Sequence, residues 1–202
     1  MRNRRGEGDR LRRQLLDAAG RLLEQGVGHE ALSLRALARE VGIATTSVYL
    51  HFADRTELLI AVYKERFVEL SRFLDEAIAG ADGPADRLRA CCLAYERFAL
   101  ERPGAYRALF EVAGTRSDPP AGMTREQLPG VEMFDTVRRC LDACVDAGLA
   151  PRADPFVATT CLVAALHGLV ALRTSRPSFP WPPPEVLVDH LLASQVGLPA
   201  RG

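Results

Sequence analysis

The chain has 202 residues, with 26 basic and 26 acidic side chains and a formal net charge of zero. This balance excludes the globally basic surface of a nonspecific nucleic-acid coat. The length is sufficient for one large domain, or for a small domain and a medium one. We expect no apolar run of the roughly 18 residues that span a membrane, and the arginine-rich start lacks an apolar signal region. A cytoplasmic protein without membrane contact is therefore predicted.

The first residues are strongly basic and precede a helical pattern. Residues 1–13 carry a net charge of about plus four. Residues 1–8 have too few apolar side chains to pack, which predicts a disordered basic arm. This arm either reaches DNA phosphates or the minor groove, or is an ordinary solvated tail. From Asp9, the expected N-cap, apolar residues recur at helical spacing until Gly26 ends the run.

Residues 34–59 contain the pattern around which the chain is organised. Ser33 is placed to cap a short amphipathic helix, and Gly42 permits a sharp turn after it. A second short helix is expected over about residues 44–52, and Asp54 opens a third. This layout is typical of a helix-turn-helix, whose second helix enters the DNA major groove.

The second helix divides into two faces at about 100° per residue. The side expected to pack inward comprises Ala44, Val48 and Phe52. The opposite side comprises Thr46, Tyr49 and Leu50, with Thr45 and Ser47 on its flanks. Small hydroxyls can bond phosphates or base edges, and an apolar side chain can meet a thymine methyl, so this face suits DNA. The alternative is a generic three-helix packing unit with an exposed tyrosine.

The third helix begins with residues that suit a phosphate group. Asp54 and Glu57 have the spacing of a capping box, and Arg55 lies in the first turn, beside the positive end of the helix dipole. The apolar stripe predicts that this helix continues to about Ala79.

Further helical patterns follow, separated by breaks rich in glycine and proline. The expected helices cover residues 85–101, 131–146, 156–172 and 186–196, with a short one from residue 103. Residues 115–129 are expected to form a mobile loop. Because no strand period is visible, we predict an all-α fold of about nine helices. Residues 1–53 would form a three-helix DNA-binding domain and residues 54–202 a larger helical body.

Two features of the body leave alternatives open. The segment 157–172 is apolar almost all round, so it must be buried in a core or against another subunit. Cys140 and Cys144 share one helical face, where Cys91, Cys92, Cys161 and His167 could join them in a redox switch or a thiolate metal site. Buried free cysteines also act as small apolar residues, and the structural role is favoured here.

The run GIATTSVYLHFADRTELL, preceded by LSLRALAREV, resembles the N-terminal domain of the TetR family of bacterial transcriptional repressors. The resemblance implies a ligand-responsive homodimer that binds a palindromic double-stranded DNA operator, without catalysis, cofactor or metal. The implied DNA-binding residues are Ser33, Arg35, Thr45, Thr46, Ser47, Tyr49, Leu50, His51 and Arg55. For His51, packing inside the domain is an equal alternative.

The resemblance also assigns residues 54–202 to ligand binding and dimerisation. The last two helices would form a four-helix bundle with a second copy. The implied interface residues are Leu162, Leu166, Leu169, Val170, Val186, His190 and Leu191. A small apolar effector would bind among the middle helices, with residues 115–129 gating its entry. The residues able to line that pocket are Tyr95, Phe98, Tyr106, Phe110, Phe134, Val137 and His167.

A ligand-released repressor is the function that these patterns favour. One alternative is a regulator that senses thiols or metals through Cys140 and Cys144. The other is a helical enzyme or a protein that does not bind DNA. The sequence contains no metal-binding H-E-x-x-H motif, phosphate-binding loop or nucleophile elbow, so we expect no enzymatic activity.

Overall fold

The computed structural model describes residues 7–28, 31–110 and 124–199. Over these residues the chain forms nine α-helices and one short 3-10 turn, with no strand, which confirms the all-α prediction. The helices are α1 (Glu7–Glu24), α2 (Leu34–Val41), α3 (Thr45–Tyr49), α4 (Arg55–Ala79), α5 (Gly83–Glu101), α6 (Pro103–Phe110), α7 (Val131–Asp146), α8 (Pro155–Ser175) and α9 (Pro184–Val196).

Two of the expected segments lie mainly outside the described residues. Residues 1–6 of the predicted basic arm are among them, and α1 already begins at Glu7, so Asp9 is inside the helix and is not its N-cap. Residues 115–123 of the predicted loop also lie outside the described part of the chain. The rest of that segment contains the 3-10 turn Arg125–Gln127.

The chain folds into two compact units. The first takes its described residues from 1–67 and 102–129, and the second from 68–101 and 130–202. Helix α4 therefore begins in the first unit and ends in the second. We expected a domain boundary after residue 53, but neither unit begins or ends there. That boundary stays a prediction about functional domains.

The first unit is built on α1, α2, α3 and the first part of α4. Its fully buried side chains include Leu15, Leu37, Val48, Phe52 and Leu58. Helix α6 belongs to this unit, because it packs against α1. The Arg107 guanidinium donates to the Glu24 backbone carbonyl over 3.3 Å, which fixes α6 at the end of α1.

The second unit is organised around α5, against which α7, α8 and α9 pack. Arg89 of α5 is almost fully buried and donates to Asp189 of α9 over 2.6 Å. It also donates to the backbone carbonyl of Pro199 over 2.5 Å. Since a buried charge is costly without partners, these contacts fix α9 and the segment after it against α5.

Helix α8 is not buried within its own chain. Only Thr159, Leu162, Leu166 and Val170 are buried, and they form one stripe. The exposed fraction is 63% for Phe156 and 52% for Leu172. A helix fully internal to a monomer, one of the open alternatives, is therefore excluded.

Helix α8 is also long and apolar enough, by length and composition, to cross a membrane. Its 18-residue window has a mean hydropathy of 1.9, and 22% of that window is buried. The expectation that no apolar run reaches this length was wrong. Thr159, Thr160 and His167 interrupt the run, but the mean hydropathy of the window remains as high as that of a membrane-spanning segment.

Candidate DNA-binding surface and regulatory body

The turn between α2 and α3 is fixed by a cap at each end of α2. The Ser33 hydroxyl accepts the Ala36 amide N–H over 3.1 Å, which confirms Ser33 as the N-cap. Gly42 adopts the left-handed conformation, with φ of 74°, and the Ile43 amide donates back to the Ala38 carbonyl over 3.0 Å. These bonds satisfy the free ends of α2 and direct the chain into α3.

Helix α3 has only five residues and depends on packing for its stability. Val48 and Phe52 have no exposed surface, as the angular pattern predicted. Ala44 is exposed, against expectation, because it is the N-cap and precedes the first helical turn. Burying two such side chains contributes about 3–6 kcal/mol, which offsets the entropy of ordering so short a helix.

The opposite face of α3 is open to solvent. Tyr49 is 53% exposed and Leu50 is 82% exposed. Thr46 is exposed beside them, while Thr45 and Ser47 are half-buried on the flanks. The helix ends at Tyr49, three residues earlier than expected, and Leu50 is its C-cap. The exposed face thus combines hydroxyls with a large apolar side chain.

The surroundings of this face add positive charge. Arg35 of α2 and Arg55 of α4 are exposed. His51 is half-buried. Arg12 of α1 lies over the Phe52 ring, with its guanidinium carbon 5.0 Å from the ring centre, and so places a cation next to α3.

The start of α4 has the predicted cap in a modified form. The Asp54 carboxylate accepts the Glu57 amide N–H over 2.9 Å. The Glu57 carboxylate accepts the Ala53 amide over 2.7 Å, instead of the Asp54 amide that a capping box uses. Arg55 is the first helical residue, beside the positive end of the dipole, where an anion is favoured.

The residues predicted to line a ligand pocket fall into both units. Tyr106 and Phe110 belong to the first unit, where their ring centres are 4.9 Å apart and Tyr106 is fully buried. The remaining five residues, Tyr95, Phe98, Phe134, Val137 and His167, belong to the second unit.

Two of these residues meet between α5 and α8. The Tyr95 hydroxyl lies 3.3 Å from His167 Nδ1, a hydrogen bond whose donor depends on the histidine tautomer. Phe98 packs edge-on against Phe73, and Phe134 packs against Phe156.

Sequence reasoning missed a buried ion pair at the same interface. Arg173 Nε lies 2.5 Å from Glu96 Oε1, and the Glu96 side chain is 3% exposed. Glu96 Oε2 has no hydrogen-bond partner among the described residues. The signal in the sequence is that Glu96 lies one turn from Cys92 and three residues from Ala99, among the buried residues of α5.

Surface grooves bordered by described residues of the second unit include the following pair. The larger, of about 500 Å³, lies between α7, α8 and α9 beside Asp142, Arg152 and Gln195. The smaller, of about 350 Å³, surrounds Arg89 and Asp189. Neither groove is lined by a residue of the predicted pocket.

The predicted interface residues divide by burial. Leu162, Leu166 and Val170 are buried within their own chain. They lie on the stripe of α8 that packs within the second unit. Val186 and His190 of α9 are exposed. Leu169 and Leu191 are half-buried.

Comparison with known proteins defines the class. Residues 15–62 match the family model described as bacterial regulatory proteins, tetR family. Residues 88–195 match the model of the C-terminal domain of tetracyclin repressor-like proteins. The fold and the exposed α3 therefore define a helix-turn-helix transcriptional regulator. The chain belongs to the TetR family; it is a regulator and not an enzyme.

Solved structures of similar proteins cover nearly the whole chain. A protein with unknown function from Rhodococcus sp. RHA1 is 27% identical, with a TM-score of 0.74 over 95% of this chain and 96% of that one. A TetR family transcription regulator from Marinobacter aquaeolei VT8 is 19% identical, with a TM-score of 0.69 over 95% and 98%. RolR in complex with resorcinol is 21% identical, with a TM-score of 0.64 over 98% and 92%.

Proposed function

We propose that this regulator is a homodimeric repressor that binds a palindromic operator through α3 and is released by a small apolar or weakly polar effector. The observation that carries the proposal is that α3 and the turn after it have a buried side, with Val48 and Phe52, and an exposed side that includes Tyr49 and Leu50. An exposed leucine at the end of a helix that is otherwise held by packing is best explained by a partner surface.

The contacts with DNA divide into two roles. Tyr49 and Arg55 bind phosphates and set affinity and its salt dependence. Arg35, Thr46 and Leu50 lie nearer the base edges and set the preferred sequence. Thr45, Ser47 and His51 complete the contact surface. Ser33 acts through the cap of α2, because its hydroxyl already accepts the Ala36 amide.

The second copy binds on the exposed sides of α8 and α9. Phe156, Val157 and Leu172 on α8 and Val186 on α9 are each more than half exposed. Apolar surface of this kind marks an interaction site. A Cβ at Gly168 would have open space around it, which supports a close helix approach there. Leu169, His190 and Leu191 flank this surface, whereas Leu162, Leu166 and Val170 are removed from the proposed interface.

The effector binds in the second unit near Tyr95 and His167. Phe98, Phe134 and Val137 supply apolar surface in the same unit, and the unpartnered Glu96 oxygen supplies an acceptor. The structure of RolR with resorcinol, a small aromatic molecule, supports this class of ligand. The effector lowers operator affinity only to the extent that it binds better to the form with low DNA affinity.

Equilibrium binding to the DNA that flanks the protein's own gene tests the proposal. The full chain and a Leu50→Glu variant are titrated into labelled duplex at several salt concentrations. We expect specific, salt-sensitive binding by the unmodified protein and loss of binding by the variant, whose substitution leaves the buried side of α3 intact. Binding that does not depend on sequence, or that survives Leu50→Glu, would contradict the proposal.

A further inference from the structure

The larger groove, between α7, α8 and α9, is a cavity that the proposed function does not use; we call it the α7–α9 groove. Its volume is about 500 Å³, within the range of about 300–1,000 Å³ that is typical of small-molecule sites. The described residues that line it all belong to the second unit. None of them belongs to the α3 surface, to the predicted effector pocket or to the exposed apolar sides of α8 and α9.

Three helix ends fix the shape of the α7–α9 groove. The Asp154 carboxylate accepts the Phe156 and Val157 amides over 2.9 and 3.0 Å, which fixes the first turn of α8. Helix α9 ends at Gly197, which has φ of 67°. A Cβ at Gly197 would lie 2.8 Å from Pro151 Cδ, so a glycine is required for the segment after α7 to lie this close to α9. The groove is therefore held open by the backbone and does not depend on a ligand for its form.

One wall of the α7–α9 groove is apolar. Leu141 and Val145 lie one turn apart on α7 and line the groove together with Ala158 of α8 and Val196 of α9. Leu141 and Val196 are buried, and Val145 and Ala158 are half-buried. An apolar group placed against this wall is removed from water, which favours binding.

Two opposite charges line the same groove without being paired. Asp146 is the last residue of α7, and Arg152 lies three residues before the start of α8. Both are exposed, and neither forms an ion pair with the other or with another residue that the structure describes. The second carboxylate of the groove, Asp142, already accepts the Arg138 guanidinium over 2.8 Å. One carboxylate and one guanidinium are thus available to a ligand.

The helix ends give these two charges a direction. Helices α7 and α9 both end at the groove, and the negative ends of their dipoles add to the charge of Asp146 and favour a cation there. Helix α8 begins at the groove, where its positive end favours an anion on the side of Arg152. Because Asp154 already occupies the first amides of α8, the Arg152 guanidinium supplies the hydrogen bonds to that anion.

We propose that the α7–α9 groove binds a small zwitterion with an apolar body, which is the chemistry of an apolar amino acid or a short apolar peptide. The ammonium group of the ligand pairs with Asp146, and its carboxylate binds the Arg152 guanidinium. Its apolar group lies against Leu141 and Val145. The Gln195 amide also lines the groove and can accept from the ammonium group or donate to the carboxylate.

Calorimetric titration of the full chain, without DNA, tests the class of ligand. The probes are L-phenylalanine and L-leucyl-L-leucine, which carry the same two charges at different separations and so distinguish an amino acid from a peptide. Each probe is compared with its amide, which lacks the carboxylate, and with its desamino analogue, which lacks the ammonium group.

We expect saturable binding of at least one zwitterion, and binding about tenfold weaker for each of its analogues, because a charged hydrogen bond is lost. If neither zwitterion binds saturably, or if the analogues bind as tightly as the zwitterion, the proposal is overturned. This site is separate from the proposed effector site, and its failure would leave the proposed DNA binding untouched.

Charge-removing variants locate the ligand. Asp146→Asn and Arg152→Gln should each weaken binding of the zwitterion about tenfold. The matched controls are Glu132→Gln and Arg176→Gln, which remove exposed charges at the opposite ends of α7 and α8 and should leave the affinity unchanged. Circular dichroism checks that each variant is folded.

A combination of variant and analogue separates a direct contact from a structural effect. Asp146→Asn should not weaken binding of the desamino analogue further, because that analogue lacks the group with which Asp146 pairs. An additional loss of the same size would show that Asp146 does not contact the ammonium group. Full affinity for the zwitterion in folded Asp146→Asn and Arg152→Gln would exclude the α7–α9 groove as its site.

Discussion

At the scale of single residues, neighbouring positions on α3 have opposite environments. Val48 has no exposed surface, while Tyr49 and Leu50 are 53% and 82% exposed. The buried residue fixes the helix and the exposed ones are available to DNA. A substitution on the exposed side should therefore change binding with little effect on folding.

Arg55→Ala tests the proposed phosphate contact. We expect weaker binding to every duplex and a salt slope that is smaller by about 1, because one phosphate contact is lost. The matched control is Arg152→Ala, which removes an exposed arginine of the second unit. Binding titrations at several salt concentrations measure both quantities. An unchanged slope would show that Arg55 contacts no phosphate.

Thr46→Ala and Arg35→Ala test the proposed reading of base edges. We expect a change in the preferred sequence, with discrimination at individual base pairs falling by about 1–3 kcal/mol. Competition between duplexes that differ at single positions measures this. An equal loss of affinity for all duplexes would indicate that these residues contact phosphates instead of base edges.

At the scale of elements, the turn into α3 depends on a backbone conformation that side chains with a Cβ rarely adopt. Gly42 has φ of 74°, and nothing lies within 4 Å of a Cβ built there, so any cost of substitution is conformational and not steric. Gly28 also has open space around such a Cβ but has no positive φ, which makes it a matched position.

Gly42→Ala should therefore lower the thermal midpoint. The left-handed conformation costs about 1–2 kcal/mol for alanine, equivalent to roughly 2–8 °C in a chain of this size. Gly28→Ala should leave the midpoint nearly unchanged. Thermal unfolding followed by circular dichroism gives both values. Equal midpoints for the two variants would contradict the conformational explanation.

Most element boundaries could be predicted because they are set locally. Helix α7 runs from Val131 to Asp146 as expected, since a left-handed glycine lies on each side of it, at Gly130 and Gly148. Helix α3 was expected to be longer, but its apolar pattern continues into a turn, where the His51 amide bonds the Val48 carbonyl.

The packing of the body could not be predicted in the same way. The apolar pattern of α8 has no period that distinguishes its inner side from its outer side, so Leu162 could not be separated from Val157. The Glu96–Arg173 pair joins positions far apart in the chain, and nothing local to either residue indicates the other. The prediction groups Tyr106 and Phe110 with aromatic residues of the second unit, because residue type alone does not show which unit holds a side chain.

At the scale of the whole molecule, the proposal requires two copies of the chain. Binding of a palindrome by two recognition helices needs a dimer, and the exposed apolar side chains of α8 and α9 suit one. A lone subunit would leave Phe156, Val157, Leu172 and Val186 in water.

Leu172→Asp should dissociate the dimer, because it would place a charge in an apolar interface. The control is Leu100→Asp on α5, a leucine that is similarly exposed at 55%. Sedimentation without detergent should give the mass of two chains for the unmodified protein and the control. It should give one chain for Leu172→Asp. A dimer that persists in this variant would place the interface elsewhere.

Selection of binding sites from a pool of random duplexes tests the central claim most directly. The full chain is used to enrich bound DNA, and the enriched sequences are compared. The account predicts an inverted repeat whose half-sites present successive major grooves about one helical turn, or 34–36 Å, apart, and no enrichment with Leu50→Glu. Enrichment of an asymmetric site, or of none at all, would contradict a dimer that reads DNA through α3.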